Sequence, residues 1–379
     1  MQSNNQFNCL GIKDNSERSR CRRESATKLG KDWLNRLAFG PDQDIAELIQ
    51  LWLSIFAVNW RTLPNPYWLN QQIQTIERCQ FKTYPELLAA LLEDPAIIHS
   101  LNGFSNHRRN PNENLARELL ELYSLGEGAY SEVDVQQTAL ALTGYRLNDE
   151  NQVFISPRRH ATGTQVILGK QADFDARSLA MWLGKQPSLA THITHRVWNR
   201  WIGVGPSSNN LKEMAKQWVQ NNLSLPWLYS NLSKHPEAKR CSELGLRLLD
   251  PIHLIARSLK LIGSRHPNAL DIALSIQSSM GQPSFQPPTV KGWPYGEGWL
   301  LSRLITPRKN ALLRLLGDEE VWDSRSLPTQ LDASLVPFPP LNLSLPAVPT
   351  RENIGLLFSD PSWQFARSMI SKKQNIPSR

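Results

Sequence analysis

From Trp33 onward the apolar positions recur mainly at helical spacing. The uncharged stretch 48–59 reads as one buried helix, stopped by Pro64 and Pro66. Thr83 and Glu86 form a capping box ahead of the apolar run 87–92. Further helices are expected over 112–125, 132–143, 174–184, 188–201, 208–221, 243–262, 267–280 and 301–316. Only 152–168 has strand texture: Val153-Phe154-Ile155, a turn containing Gly163, then Gln165-Val166-Ile167-Leu168. That pattern predicts one small hairpin inserted among helices. Pro328, Pro337, Pro339, Pro340, Pro346 and Pro349 then interrupt a segment without amphipathic period, which predicts an extended strap with a short helix near 360–370. The expected fold class is all-α with one β-hairpin. The expected organisation is a disordered basic arm over 1–30, a helical domain over 31–317, and a Pro-rich strap with a basic tail over 318–379.

The net charge of +8 changes this picture only at the ends. Residues 1–40 hold eight basic and four acidic side chains, and residues 364–379 hold four basic and none acidic. The remaining 30 basic and 30 acidic residues cancel, so no nucleic-acid partner is expected for the folded part. The nearest approach to a long apolar run, 48–60, carries no charge but contains Gln50, Ser54 and Asn59, which suits a buried helix and not a membrane span. Cys9, Cys21, Cys79 and Cys241 are scattered without a Cys-x-x-Cys pair, and neither a zinc module nor a disulfide framework is expected. The opening residues lack the apolar segment of a secretory leader, so the expected location of the chain as written is cytoplasmic.

Chemistry concentrates in three places. Between Pro111 and Gly126, plotting at 100° per residue puts Glu113, Asn114, Arg117, Glu118 and Glu121 on one arc of about 140°, with Leu115, Leu119 and Leu122 opposite. Such a face can tune a carboxylate for acid–base work or hold a hard cation, and it can equally be a solvated face of i,i+4 pairs. His160 stands on a Gly-containing turn beside Arg158 and Arg159, where it can move protons, bind an anion, or be an ordinary loop residue. The loop 281–299 combines Lys291, Trp293, Tyr295 and Trp299 with Pro and Gly, as a ligand platform or a packing loop would. His192 and His195 are set aside as a metal pair because Arg196 and Arg200 would repel a cation. The stretch from Gly163 to Lys170 has the wrong spacing for a phosphate loop.

The segment Asn112-Glu113-Asn114-x-Ala116-Arg117-Glu118-Leu119-x-Glu121-Leu122 continues into Leu125-Gly126, Tyr130, Glu132, Asp134-Val135 and Ala141-Leu142-Thr143-Gly144. Together these resemble the signature of a large bacterial family, domain of unknown function 1800. The likeness takes in Ala38-Phe39-Gly40-Pro41, Asp94-Pro95-Ala96, His160, Ile167-Leu168-Gly169, Arg196-x-Trp198 and Pro251. It runs on through Gly281-Gln282, Pro287-Pro288-x-Val290-Lys291-Gly292-Trp293-Pro294, Trp299 and Arg308. The resemblance implies a mostly helical fold, relatives that are often exported, a sulfatase-like partner, and work on the cell envelope or polysaccharides. The chain departs from the pattern in three places. It has Ile55 in Trp52-Leu53-Ser54-Ile55-Phe56 where relatives carry His, Ala161 after His160 where they carry Asp, and Gln165 where they carry Lys.

These readings lead to an accessory or binding protein with a polar cleft. The alternative is a hydrolase with Glu113, Glu118 and His160 as catalytic groups. In either case Asn112, Asn114, Arg117, Lys291, Trp293, Trp299 and Arg308 are the expected ligand contacts. The pattern names no cofactor and no metal.

Overall fold

The computed structural model describes residues 9–148 and 150–367. It is mostly helical, as expected, with three small two-stranded antiparallel sheets. In chain order come α1 (Asn15–Phe39), α2 (Gln43–Ile55), α3 (Tyr67–Cys79), α4 (Tyr84–Leu92), α5 (Pro95–Ser100), α6 (Asn114–Glu121) and α7 (Glu132–Ala141). Strands β1 (Tyr145–Leu147), β2 (Val153–Ile155), β3 (Gln165–Ile167) and β4 (Lys170–Ala172) follow. Then come α8 (Ala176–Leu183), α9 (Pro187–Ile202), α10 (Ser208–Gln220), α11 (Leu225–Lys234), α12 (Pro236–Glu243), β5 (Arg247–Leu248), α13 (Pro251–Ile262), α14 (Pro267–Ser279) and α15 (Ser302–Asn310). The strap adds α16 (Arg351–Ser359), α17 (Pro361–Gln364) and β6 (Phe365–Ala366).

Local signals place several of these elements. The Glu86 carboxylate accepts from the Thr83 amide at 3.0 Å and from its hydroxyl at 2.8 Å, so the capping box starts α4 as expected. Ser131 and Asp134 cap α7 in the same reciprocal way. Trp52, fully buried, donates its indole N–H to the Tyr229 hydroxyl at 2.6 Å, tying α2 to α11 inside the main core.

Four expectations are corrected. The single hairpin over 152–168 is two hairpins, β1 with β2 and β3 with β4. Leu168 and Gly169 both have positive φ and close β3 onto β4 as a two-residue turn, which leaves 156–164 as a loop. The expected helix over 243–262 is split: Asp250 caps a fresh helix that begins at Pro251, and β5 precedes it.

Residues 15–30 of the expected disordered arm lie in α1, which packs on α13 and α14. Its inner face is small, with Ser25, Ala26 and Gly30 buried, and this is why no apolar period announces it. A Cβ on Gly30 would stand 3.1 Å from Ser284 Cβ. Cys9 and Cys21 form a disulfide across the start of this helix, against the expectation of none. Residues 368–379, which carry most of the expected basic tail, lie outside the described residues, as do 1–8.

The strap does not trail away. Leu331 bridges Ala347, and β6 pairs antiparallel with β5, Phe365 opposite Leu248 and Ala366 opposite Arg247. Arg257 of α13 donates to the Trp363, Phe365 and Leu335 carbonyls, and its guanidinium lies 3.9 Å from the Trp363 ring centroid. A satellite cluster of Leu248, Trp299 and Leu304, with Trp293 and Phe365 against it, therefore sits beneath the 293–299 loop, apart from the main core.

Candidate functional site

The polar face of α6 is built by its own caps and by α7. Asn112 stands just before the cap residue Glu113: its Oδ1 accepts from the Asn114 amide at 3.0 Å, and its backbone amide donates to Asn106 Oδ1 at 2.9 Å. Asn106 in turn donates to the Ala139 and Leu142 carbonyls at the end of α7. Asn112 and Asn114, expected as ligand contacts, thus open the helix. Arg117 makes a bidentate pair with Glu132 at 2.8 Å on both arms and a third contact to Glu113 at 3.1 Å. The hydrogen bond from Arg117 holds the Glu132 carboxyl below the usual range.

Glu118 differs from its neighbours. It is half-buried, and its Oε2 has no hydrogen-bond partner among the described residues. Burial and then the adjacent Glu121 raise its carboxyl, while Lys291 and Arg117 oppose. Lys291 reaches across from the 291–299 loop to Glu121 Oε1 at 3.0 Å, so the structure joins the α6 face to that loop.

His160 is not joined to them. Its Nδ1 faces the Thr143 carbonyl at 2.9 Å, and the Thr143 hydroxyl accepts from the Ala161 amide at 2.7 Å. Gly144, at φ +89°, lets the His160 backbone approach to where its own Cβ would be, 2.8 Å from the His160 nitrogen. The Gly144 amide donates to the Asn106 carbonyl, which places His160 at the Asn112 end of α6. Glu121 and Lys291 close the other end, roughly 12 Å further along at 1.5 Å per residue.

From Lys291 the polar surface continues along α9. His192, Arg196 and Arg200 lie four residues apart on one face. His192 Nε2 lies 3.2 Å from the Leu122 carbonyl at the end of α6, and Arg196 donates to that same carbonyl. Burial and Arg196 push His192 down to about 4, so it is neutral near pH 7. Arg200 lies over the Tyr295 ring at 4.9 Å and gives the Lys291 carbonyl one long contact at 3.4 Å.

This row ends at a narrow cleft, about 40 Å³ in volume, between α2, α9, β5, the start of α13 and the 293–299 loop. Glycines allow the close approach: a Cβ on Gly292 would lie 2.6 Å from the Ser54 carbonyl oxygen, and one on Gly203 2.8 Å from Arg247 Cα. Behind it His253 is held between Asp250 and Glu47, with Nε2 2.8 Å from Glu47 Oε2 and Nδ1 against Asp250 Oδ1. Burial alone would lower His253, but the two carboxylates raise it to about 9. Burial likewise works against Asp250, yet the charge and hydrogen bond of His253, with Arg247, hold it at about 2. His253 and Asp250 are therefore both ionised at neutral pH. Arg247 itself is only 5 % exposed and is pushed down by burial, with Glu47 and Asp250 partly offsetting. Burial and Arg196 push Arg200 down to about 9.

Trp293 and Trp299, expected ligand contacts, do line this cleft, though Trp299 is 1 % exposed. Arg308 does not line it. It is buried, and it donates to the Leu249 carbonyl at 2.5 Å. Arg200, Arg247 and His253 escaped sequence reasoning. Arg200 was visible only as an objection to a cation, and that objection is itself the signal for an anion. A larger groove of about 900 Å³ between α4, α8, α9 and α10 contains none of the expected site residues. Among the described residues, no group of three or more His, Cys, Asp or Glu side chains could hold a metal ion, and no helix is long and apolar enough to cross a membrane.

Residues 2–365 match the model of a family described as Protein of unknown function (DUF1800). No curated protein and no solved structure matches the chain.

Proposed function

As the chain belongs to the DUF1800 family, we propose that it serves as a binding or accessory protein in cell-envelope or polysaccharide metabolism. Its binding surface is the polar stretch from α6 along α9 to the 291–299 loop. The observation that carries this reading is how the charged groups are committed. Arg117 is held by Glu113 and Glu132, Lys291 by Glu121, and His253 by Asp250 and Glu47. His160 is turned to a backbone carbonyl at the far end of α6. Groups locked this way orient a surface, whereas acid–base chemistry needs a carboxylate and a base that reach one atom. Tyr295, exposed beside Arg200, and half-buried Trp293 supply rings on which sugar faces stack.

Export and a sulfatase-like partner belong to the same proposal. The Cys9–Cys21 bond supports an oxidising compartment over the cytoplasm. Alkylation of the freshly lysed source cell tests this point, and two free thiols at Cys9 and Cys21 would contradict it.

The direct test is affinity electrophoresis of the purified protein in gels containing acidic or neutral polysaccharides. Retardation by a polysaccharide that Trp293→Ala and Tyr295→Ala weaken, with no release of reducing ends, supports the reading. Glu118 favours a second one, hydrolysis, because an unpartnered carboxyl raised by burial is suited to donate a proton. Reducing ends released by the parent and lost in Glu118→Gln would put hydrolysis first.

A further inference from the structure

The cleft between α2, α9, β5 and the 293–299 loop is lined by donors that lack acceptors. Arg247, almost wholly buried, makes no side-chain hydrogen bond and no ion pair with any described residue, and it interacts with Glu47 and Asp250 only at a distance. The indole nitrogens of Trp293 and Trp299 are buried without a hydrogen-bond partner among the described residues. Arg200 has one long contact, 3.4 Å, to the Lys291 carbonyl. Of the two carboxylates nearby, Asp250 lines the cleft and is bonded to His253 Nδ1, and Glu47 faces His253 Nε2 as an ion pair without a hydrogen bond. Arg196 and Arg308 do not line the cleft, and each donates to one backbone carbonyl, that of Leu122 and that of Leu249.

Buried donors without acceptors are costly, and folded proteins rarely keep several of them in one place unless an acceptor arrives. Along the cleft wall itself the groups short of partners are mostly donors. Two guanidinium groups and two indole N–H groups ask for an acceptor that carries negative charge, and the guanidinium fork suits a group with two or more oxygens. The cleft, about 40 Å³, has room for one such group and none for a sugar ring. Tyr295 at the mouth, over Arg200, leaves a surface for whatever the group is attached to.

We propose that this cleft binds a single oxyanion, a carboxylate, sulfate or phosphate, through Arg247, Arg200 and the indole N–H groups of Trp293 and Trp299. The oxyanion is either free or a substituent of a larger molecule. The second source rests on the binding function proposed above, and the first does not.

The test is calorimetric titration of the full chain with inorganic sulfate and with inorganic phosphate, at ionic strength held constant with chloride. A second arm uses a sulfated or uronic-acid oligosaccharide against its neutral counterpart. Saturable binding of an oxyanion, weakened roughly tenfold or more in Arg247→Met and several-fold in Arg200→Gln and Trp299→Phe, is the expected result. The last two variants decide the matter if Arg247→Met fails to fold. Tighter binding of the charged oligosaccharide than of the inorganic ion, with the same variant losses, assigns the substituent. Equal or no binding of the oligosaccharide beside a genuine inorganic site assigns the free ion and removes the polysaccharide reading alone. Oligosaccharide binding that the variants leave unchanged overturns the cleft assignment while the function above stands. No binding of any oxyanion, or loss equally repaired by chloride, overturns the proposal outright.

Discussion

Lys291 Nζ lies 3.0 Å from Glu121 Oε1, joining a loop near residue 290 to a helix 170 residues earlier. The lysine is 66 % exposed, so screening leaves the pair little stabilising weight. Lys291→Ala is expected to lower stability by less than about 1 kcal/mol. Its electrostatic effect is the more telling one. Lys291 favours the charged form of Glu118, so its removal should raise the Glu118 carboxyl further. A carbon-detected NMR titration of the side-chain carboxyls reads this, and an unmoved Glu118 would show that the loop does not govern it.

The Asp250–His253–Glu47 triad makes stability depend on pH with a definite sign. His253 is raised in the folded chain, so its contribution is complete below its ordinary value of 6.5 and is lost as pH rises through about 9. Asp250 is depressed, so its contribution is complete above its ordinary 3.8 and is lost as pH falls through about 2. Melting temperature should therefore decline on the alkaline side, and His253→Gln should flatten that decline. Parallel alkaline slopes in parent and variant would remove the triad as the cause.

Reduction provides a third test. The Cys9–Cys21 bond closes a loop of 12 residue steps, for which chain entropy gives about 3 kcal/mol. A reductant should lower the melting temperature by a few degrees, and Cys9→Ser should show that lower value with or without reductant. A parent that ignores reductant would mean that α1 is held wholly by its packing.

Gly203→Ala probes the scaffold beneath the cleft. Gly203 ends α9 at φ +90°, with the Arg247 backbone where a Cβ would go. Strain of that backbone conformation alone is about 1–3 kcal/mol, before any displacement of β5. Chemical denaturation should show at least that loss. Parent-like stability would mean that β5 can retreat freely, and with it Arg247.

What the sequence made legible follows from what is local. Caps at Thr83 and Ser131 announce helix starts because both partners lie within one turn. The helix α3 went unread because two of its inward positions are polar: Gln72 and Thr75 are buried, and Gln72 donates to the Phe56 carbonyl at 2.7 Å. The strand pairing failed because positive φ at Leu168 is invisible in a residue that rarely adopts it. The α6 face was readable as a face, and so was the aromatic loop. Their junction through Lys291 was not, and the cleft still less, since its residues come from α2, α9, β5, α13 and a loop, each unremarkable in its own segment.

The pairing of β6 with β5 has a mechanical meaning. Ala366 is laced to Arg247, and Arg257 buckles the same segment through two carbonyls, with a third bond to Leu335. One wall of the cleft is thus fastened by the far end of the strap. If Arg247 takes the oxyanion proposed above, linkage requires that binding strengthen that fastening by as much as the fastening strengthens binding.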